Sequence, residues 1–224
     1  MTNSLDLIPQ RTLATEVIDR LRAAILNGVF KPGEPLNQVQ IATQFGTSRG
    51  PVRAALSKLE EEGLVSNIPH RGSFVTVLDR KMIQDLYGLR VALEAYGAQL
   101  AATNWTEENL NHLETLIQEI QQAARESNTD QVIECDLAIH EYIIDLANNA
   151  LLQQAWSNIR VQVRRCLTLR HHGYQNLEEI ADSHLPLLDM LRQRDTAGAA
   201  RAIAEHTTDA CNHLIGGWNP GPES

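Results

Sequence analysis

The sequence predicts a mostly α-helical protein of two domains. Residues 1–78 would form a winged helix-turn-helix, three helices with a small β-hairpin as the wing, and residues 79–215 an all-α helical bundle. Two short helical patterns flank a glycine at position 46, and two short β-prone runs follow them. Beyond residue 78, the apolar residues recur almost only at helical spacing. Residues 216–224, rich in glycine and proline, are expected to be a flexible tail.

The second helix of the helix-turn-helix gives the clearest local signal. Ser48 is a good N-cap residue, and Pro51 falls in the first turn, where its missing N–H removes no helical hydrogen bond. Arg49 and Arg53 are four residues apart and therefore share one face. Another face is apolar, with residues at positions i, i+3, i+4 and i+7: Val52, Ala55, Leu56 and Leu59.

Two further elements complete the first domain. An amphipathic helix is predicted over residues 12–27 and ends at Gly28. A β-hairpin is predicted from the runs 64–67 and 73–77, with His70, Arg71 and Gly72 at its turn. In a helix-turn-helix the second helix offers its N-terminal side chains to the DNA major groove, where the arginine fork can bridge guanine O6 and N7 or clamp a phosphate. We therefore expect double-stranded DNA contacts at Ser48, Arg49, Gly50, Pro51 and Arg53.

An ordered set of residues resembles the N-terminal winged helix of GntR-type bacterial transcriptional regulators, and the resemblance covers roughly residues 12–77. In that family the hairpin tip approaches the minor groove, which assigns His70, Arg71 and Gly72 to DNA. The residues around Val39 are uncharged here, so no charged base contact is expected from the preceding helix. The residues that carry the resemblance are the run Gly28–Gly33, Leu36, Ile41, Ala42, Phe45, Gly46, Ser48, Arg49, Pro51, Val52 and Arg53.

Charge and cysteine content fit this organisation. The chain has a net charge of −9, but residues 1–78 hold 8 Lys and Arg against 7 Asp and Glu, giving +1, and residues 79–224 hold 11 against 21, giving −10. The acidic excess therefore lies in the second domain and does not argue against DNA binding. The three cysteines lack metal-type spacing and are typical of reduced thiols. No secretory signal and no apolar run of membrane-spanning length is found, so a cytoplasmic protein without membrane contact is expected.

The second domain is predicted to contain six helices, the fifth of them over residues 177–194. Pro186 lies inside that fifth pattern and should kink or restart the helix. His171 and His172 are adjacent and are interpreted as loop residues.

Four residues of this domain form a possible metal site. Asp136 and His140 are four apart and project from one helix face, while His184 and His206 lie in later helices. One carboxylate and three imidazoles suit Zn²⁺ or another first-row divalent ion. From the spacing alone this remains one interpretation beside that of ordinary core histidines.

The domain also resembles the FCD ligand-binding domain of the FadR-type branch of GntR regulators, on Leu89, Arg90, Leu93, Glu94, the Asp136-x-x-x-His140 spacing, Asn149 and the two later histidines. Metal-binding members use one Asp and three His in this arrangement. The resemblance thus implies a divalent metal held by Asp136, His140, His184 and His206, with zinc expected and nickel, manganese or cobalt as alternatives.

The expected function is a homodimeric transcriptional regulator, a repressor in the simplest case, whose operator affinity is switched by a small carboxylate beside the metal. Arg90, Arg164 and Arg165 are candidate cationic partners of that effector, and Asn149 is a candidate hydrogen-bond donor. Three alternatives stay open: a regulator with a purely structural metal, a metal-dependent hydrolase, and a fatty-acyl-responsive regulator. The hydrolase would need a general base beside the metal, and Glu141 is turned about 100° from His140 on the helix.

Overall fold

The structure, a computed structural model, describes residues 13–172 and 176–216, except for the side chains of residues 170–172. The chain divides into two compact units, Met1–Val77 and Leu78–Ser224. This division falls one residue before the boundary expected from the sequence.

The first unit confirms the winged helix-turn-helix. Its helices are α1 (Leu13–Leu26), α2 (Gln38–Gln44) and α3 (Arg49–Glu61). Helix α1 packs against α3, which buries the apolar faces of both helices. Gly46 has a φ of +61° in the turn between α2 and α3, a conformation that glycine adopts without strain. All four residues of the predicted apolar face of α3 are buried: Val52, Ala55, Leu56 and Leu59.

The wing is a two-stranded antiparallel hairpin of β1 (Val65–Ile68) and β2 (Gly72–Val75). Val65 pairs with Val75 and Ile68 with Gly72, so Pro69, His70 and Arg71 form the tip. His70 has a φ of 63° and Gly72 a φ of 97°. The Arg71 N–H donates to the Ile68 carbonyl at 3.0 Å, which closes the turn.

The second unit is all α, as predicted. Helix α10 packs along α4, and α6 packs against α4, α5 and α7. This arrangement brings the middle of α4, α6 and α10 together around one buried region. Its helices are α4 (Arg80–Asn104), α5 (Glu107–Arg125), α6 (Thr129–Leu146), α7 (Ala150–His172), α8 (Leu177–Asp182), α9 (Leu185–Arg192) and α10 (Thr196–Gly216).

Three expectations about this unit are corrected. Its described residues hold seven helices instead of six, because the predicted fifth helix is broken into α8 and α9 beside Pro186. His171 and His172 belong to the end of α7 and not to a loop, since no helix breaker precedes Gly173 in the sequence. Leu89, placed on the apolar pattern of α4, is 45% exposed.

The expected flexible tail lies almost wholly outside the described residues, because α10 includes Gly216 and residues 217–224 are not described. In the described part of the chain, no helix combines the length and apolar character that a membrane span requires.

Candidate DNA-reading surface and metal centre

The start of α3 carries the predicted DNA-reading residues. Ser48 occupies the N-cap position, although its side chain makes no capping hydrogen bond, and Pro51 lies in the first turn. Arg49 and Arg53 are exposed, on the side of α3 that is not buried. The helix therefore combines a packed apolar face with two solvent-facing guanidinium groups.

The arginines of α1 and α3 fall into two groups. Arg20 and Arg22 on α1 pair with carboxylates, Arg22 with both Asp19 and Glu62 at 2.7 Å. Within residues 13–77, by contrast, neither Arg49 nor Arg53 makes an ion pair. The acidic residues thus neutralise the supporting helix and leave the positive charge of α3 exposed.

The wing tip presents a third exposed guanidinium. Arg71 lies 5.6 Å from the centre of the Phe74 ring, a cation–π distance. His70 and Gly72 beside it are also exposed. On α2, Val39 is 54% exposed and uncharged.

The four predicted metal ligands converge in the second unit. The His184 Nε2 lies 3.0 Å from Asp136 Oδ1, the His140 Nε2 lies 3.4 Å from the same oxygen, and the Nε2 atoms of His140 and His206 are 3.2 Å apart. One donor atom from each residue lies within 4.8 Å of all the others. Ligands about 2.0–2.2 Å from a shared ion lie roughly 3–3.5 Å apart around a tetrahedron, so this spacing fits a divalent metal.

Hydrogen bonds fix the orientation of two of the imidazoles. The His184 Nδ1 lies 3.0 Å from the Ile180 carbonyl, which can only accept, so Nδ1 carries the proton. The His140 Nδ1 forms an ion-pair contact of 2.7 Å with Glu94 Oε2, and because an ionised carboxylate can only accept, this nitrogen is assigned the ring proton. When neutral, both rings direct an Nε2 lone pair at the Asp136 carboxylate, and a cation between these groups would offset their repulsion.

The break between α8 and α9 positions His184. It is the N-cap residue of α9, and Pro186 follows within the first turn. The proline therefore restarts the helix where its missing N–H is tolerated. With the helix restarted here, the His184 Nε2 faces Asp136.

Glu94 is a site residue that the sequence interpretation missed. It is fully buried on α4; its Oε1 accepts from Arg90 Nε at 2.7 Å and its Oε2 from Thr207 Oγ1 at 3.0 Å, besides its contact with His140. A carboxylate on the second nitrogen of a metal-ligating histidine is a common support in metal sites. The sequence signals were its place among the residues that carry the FCD resemblance and its position four residues after an arginine in a mostly apolar helix.

Charge interactions shift the pKa values of this cluster. Burial alone would raise the pKa of Glu94, but the nearby Arg90 and His140 outweigh it and lower the pKa to about 2. Burial would lower the pKa of His140, and Arg90 acts in the same direction, but the Glu94 and Asp136 carboxylates together outweigh both and raise the pKa. The metal-free cluster thus holds an ionised carboxylate beside a proton-binding imidazole.

Arg90 is buried, although arginine is normally exposed. Its Nε binds Glu94, whereas Nη1 and Nη2 have no hydrogen-bond partner among the described residues. The guanidinium also lies 4.9 Å from the centre of the Tyr87 ring. The Nη1 and Nη2 groups at the outer edge of the guanidinium are therefore buried hydrogen-bond donors, arranged as in guanidinium groups that bind a carboxylate through two hydrogen bonds.

Arg165 on α7 and Arg90 on α4 act on the same thiol, that of Cys166. Burial lowers the pKa of Arg165, and burial raises the pKa of the Cys166 thiol to about 12, although both guanidinium groups oppose that rise. Two arginines from neighbouring helices therefore influence one thiol.

The other two candidate effector residues have local roles. The Arg164 guanidinium pairs with Glu134 at 2.6 Å on the outer side of α6, since Glu134 precedes Asp136 by two residues and faces about 200° away. The Asn149 Oδ1 accepts from the N–H groups of Leu151 and Leu152 at 3.1 Å and caps α7. Only the amide nitrogen of Asn149 would remain to donate to a ligand.

Glu141, the base that a hydrolase would need, is engaged elsewhere. Its carboxylate receives the Arg160 Nε at 2.9 and 3.0 Å, and both side chains are more than a third exposed. It is directed away from the cluster, as the helical spacing predicts.

Comparisons with known proteins agree with the two-domain fold. Residues 13–75 match the family described as bacterial regulatory proteins, gntR family, and residues 85–209 match the FCD domain. The HTH-type transcriptional regulator YdhC of Bacillus subtilis is 29% identical over 197 residues, 88% of each chain. The HTH-type transcriptional repressor RspR of Escherichia coli is 28% identical over 206 residues, 92% of this chain and 90% of the relative.

Solved structures show the same fold. McbR/YncC of Escherichia coli has a TM-score of 0.77 at 24% identity, covering 94% of this chain and all of that one. A GntR-type regulator from a Rhodococcus species has a TM-score of 0.76 at 23% identity, covering 93% and 100%.

The winged helix and these matches define a DNA-binding transcriptional regulator. The chain belongs to the GntR family of bacterial regulatory proteins, in the FadR-type branch whose second domain is the FCD domain.

Proposed function

We propose that this regulator is a homodimeric repressor whose operator affinity is set by a divalent metal and a small carboxylate bound together in the FCD domain. The carrying observation is the four-ligand cluster of Asp136, His140, His184 and His206 beside the buried, partly unbonded guanidinium of Arg90. A cytoplasmic location follows for a protein whose partner is the bacterial chromosome.

The DNA side of the proposal rests on the exposed charges of the first unit. Arg49 and Arg53 would read or clamp the major groove, supported by Ser48, Gly50 and Pro51 in the first turn of α3. His70, Arg71 and Gly72 at the wing tip would approach the minor groove. One copy carries few such contacts on a unit of net charge +1, so two copies on half-sites one helical turn apart would strengthen binding.

Repression is the proposed direction of control. Two of the relatives are named as repressors, RspR of Escherichia coli and the gluconate operon repressor of Bacillus subtilis. A regulator that binds an operator overlapping the promoter can repress by DNA affinity alone, without contacting the polymerase.

The metal proposal rests on the donor set. Three imidazole nitrogens and one carboxylate oxygen suit zinc first, with nickel, manganese or cobalt as alternatives. When bound, the ion would supply a Lewis-acidic position for an anionic ligand.

The effector proposal rests on charge balance. The buried charges of the cluster are Arg90 and Arg165 against Glu94 and Asp136, which cancel. A divalent ion would add two positive charges in a buried region, and a small carboxylate would offset them. Arg90 is the best candidate for binding the carboxylate, because its Nη1 and Nη2 groups can donate two parallel hydrogen bonds. Arg165 would add a favourable positive charge. Asn149 and Arg164 are the weaker candidates because both have local partners.

Control of DNA affinity would require a coupling of about 1–3 kcal/mol between the two domains, which corresponds to about 5–150-fold in operator affinity. Metal and effector would order the helical bundle, and the short chain connection near Leu78 would transmit the change. A purely structural metal is the competing proposal, because four protein ligands can fill a tetrahedral shell. The unbonded Nη groups of Arg90 favour the effector.

The experiment measures binding of the full chain to labelled fragments of its own upstream region, at low ionic strength, without additives, with zinc, and with zinc plus a panel of small carboxylates. The panel is first screened by thermal shift. We expect a retarded fragment and at least one carboxylate that changes its affinity by about 5-fold or more. Operator affinity that stays constant with every carboxylate that binds would reject the switch and favour the structural metal.

A further inference from the structure

Three helices meet at Glu94 through one carboxylate. Its Oε1 accepts from Arg90 Nε on α4, its Oε2 accepts from Thr207 Oγ1 on α10, and the same Oε2 forms an ion-pair contact with His140 Nδ1 on α6. The distances are 2.7, 3.0 and 2.7 Å, and all four residues are at most 1% exposed. Glu94 is therefore the shared acceptor for a metal-ligating histidine and for the guanidinium proposed to bind the anion.

The direction of these hydrogen bonds matters more than their number. An ionised carboxylate can only accept, so the His140 Nδ1 must carry the proton and its Nε2 must present a lone pair to the ligand cluster. The same carboxylate holds Arg90 by Nε, the side of the guanidinium that is not part of the Nη1 and Nη2 fork. The Glu94 carboxylate thus leaves the Nε2 lone pair of His140 available to a metal ion and the Nη1 and Nη2 groups of Arg90 available to an anion.

We infer that Glu94 is the positioning residue that allows the site to hold a metal ion and an anion at the same time. The inference rests on the proposed function, because it concerns how this chain prepares the proposed ligands. Glu94 itself contacts neither ligand; it acts through His140 and Arg90.

The isosteric amide shows why a carboxylate is required. Glutamine has one accepting oxygen and one donating NH₂ group, and both of its main partners are donors. With the oxygen towards Arg90, the NH₂ group faces His140 and moves the ring proton to Nε2, where it blocks metal. With the oxygen towards His140, the NH₂ group faces Arg90 Nε and displaces the fork. Metal binding and anion binding would then compete for one acceptor.

The test compares Glu94→Gln with the wild type and with Glu141→Gln. Glu141 is adjacent to His140 in the chain, but its carboxylate pairs with Arg160 at the surface, so the control removes the same charge from a neighbouring position. The first measurement is zinc affinity without other ligands, by competition with a coloured chelator. We expect about 10–100-fold weaker binding for Glu94→Gln and little change for the control.

The second measurement is the tautomer of His140 in the metal-free proteins, from the nitrogen chemical shifts of its ring at an alkaline pH at which the ring is neutral. The wild type and Glu141→Gln should show the Nδ1–H form, and Glu94→Gln should show Nε2–H. The third measurement uses acetate as the probe anion: zinc should tighten acetate binding to the wild type, and this effect should be lost in Glu94→Gln.

Equal zinc affinity in Glu94→Gln and the wild type, or an unchanged effect of zinc on acetate binding, would overturn the inference and leave the proposed metal site standing. A wild type that binds no zinc would reject the proposed function instead, and an unchanged tautomer would then reject the role of Glu94 separately.

If Glu94→Gln does not fold, Arg90→Lys tests the contact between Glu94 and Arg90 from the arginine side. Lysine can pair with Oε1 but has no fork, so zinc affinity should persist and acetate binding should fall; unchanged acetate binding contradicts the inference.

Discussion

Arginine has two distinct environments in this protein. Arg49 and Arg53 are exposed on α3 without an ion pair to any described residue, whereas Arg90 is buried against Glu94, and its outer edge has no hydrogen-bond partner in the same part of the chain. An exposed guanidinium is fully hydrated and suits a polyanion such as DNA. A buried guanidinium has already lost its hydration and suits one small anion in a closed site.

Arg49→Ala should weaken operator binding by about 1–3 kcal/mol, because it removes a fork at the start of the recognition helix. Fluorescence anisotropy with labelled operator measures the loss. Arg20→Ala is the control, since it removes an arginine of the same unit that is exposed and paired with Glu16. An operator affinity for Arg49→Ala equal to that of Arg20→Ala would mean that α3 is not the reading helix.

Zinc affinity should fall as the pH is lowered through the histidine range, about pH 8 to pH 5. In the metal-free protein the pKa of His140 is raised, because the Glu94 and Asp136 carboxylates together outweigh the opposing effects of burial and Arg90. A proton on Nε2 competes with the ion, so binding is favoured above that pKa and weakens below it by about tenfold per pH unit for each proton displaced. Chelator competition at several pH values measures the slope; a flat profile would exclude histidine ligands.

At the scale of elements, the regular helices could be predicted from the sequence, whereas the predicted fifth helix of the second unit could be predicted only in part. The apolar faces of α3, α5 and α6 follow from residue spacing, because burial of one face imposes a period of 3.6. The interruption of the predicted fifth helix was expected from Pro186. Its position was not, because it depends on hydrogen bonds of the His184 ring to α8 carbonyls.

Pro186→Ala should change the free energy of unfolding by less than about 1 kcal/mol and leave zinc affinity intact, because Pro186 lies in the first turn of α9. Leu188→Pro, two residues later, removes the N–H that donates to the His184 carbonyl and should cost about 3 kcal/mol or more. Urea unfolding and zinc titration measure both variants. A large loss of zinc affinity in Pro186→Ala would show that the proline itself orients His184.

The candidate site shows where sequence interpretation stops. Asp136 and His140 are paired by helix spacing, whereas His184 and His206 lie far apart in the sequence, and the family resemblance was needed to favour the metal site over ordinary core histidines. Glu94 was missed because a glutamate four residues from an arginine is usually a surface ion pair. Arg164 was a reasonable candidate because its partner Glu134 is 30 residues away. Whether such a charged residue lies in a site or in a surface ion pair depends on its burial, and burial depends on how the helices pack.

At the scale of the whole molecule, polar burial is confined to one place. The described residues include eight buried polar or charged side chains, all of them in the second unit: Arg90, Glu94, Asp136, His140, Arg165, His184, His206 and Thr207. The winged helix has an apolar interior and an exposed cationic surface. The two units therefore differ in what they bury, which agrees with separate roles in binding DNA and small ligands.

Zinc should raise the melting temperature of the second unit, and this unit can be observed alone. All three tryptophans, Trp105, Trp156 and Trp218, follow residue 78, so their fluorescence reports on it selectively. Zinc at about 100 times its dissociation constant should add about 2.7 kcal/mol, or about 5–10 °C for a domain of this size. Excess chelator should reverse the shift, and His206→Ala should abolish it. An identical melting temperature with and without zinc would contradict ligation by this cluster.

The break between α8 and α9 has a consequence for the lifetime of a bound ion. Asp136 and His140 share α6, which has 18 residues, and His206 belongs to α10, which has 21, whereas His184 joins helices of six and eight residues. Short helices separate from a core at lower free energy than long ones. Dissociation would therefore begin with His184, at a rate governed by transient opening of this segment, while the remainder of the bundle stays folded.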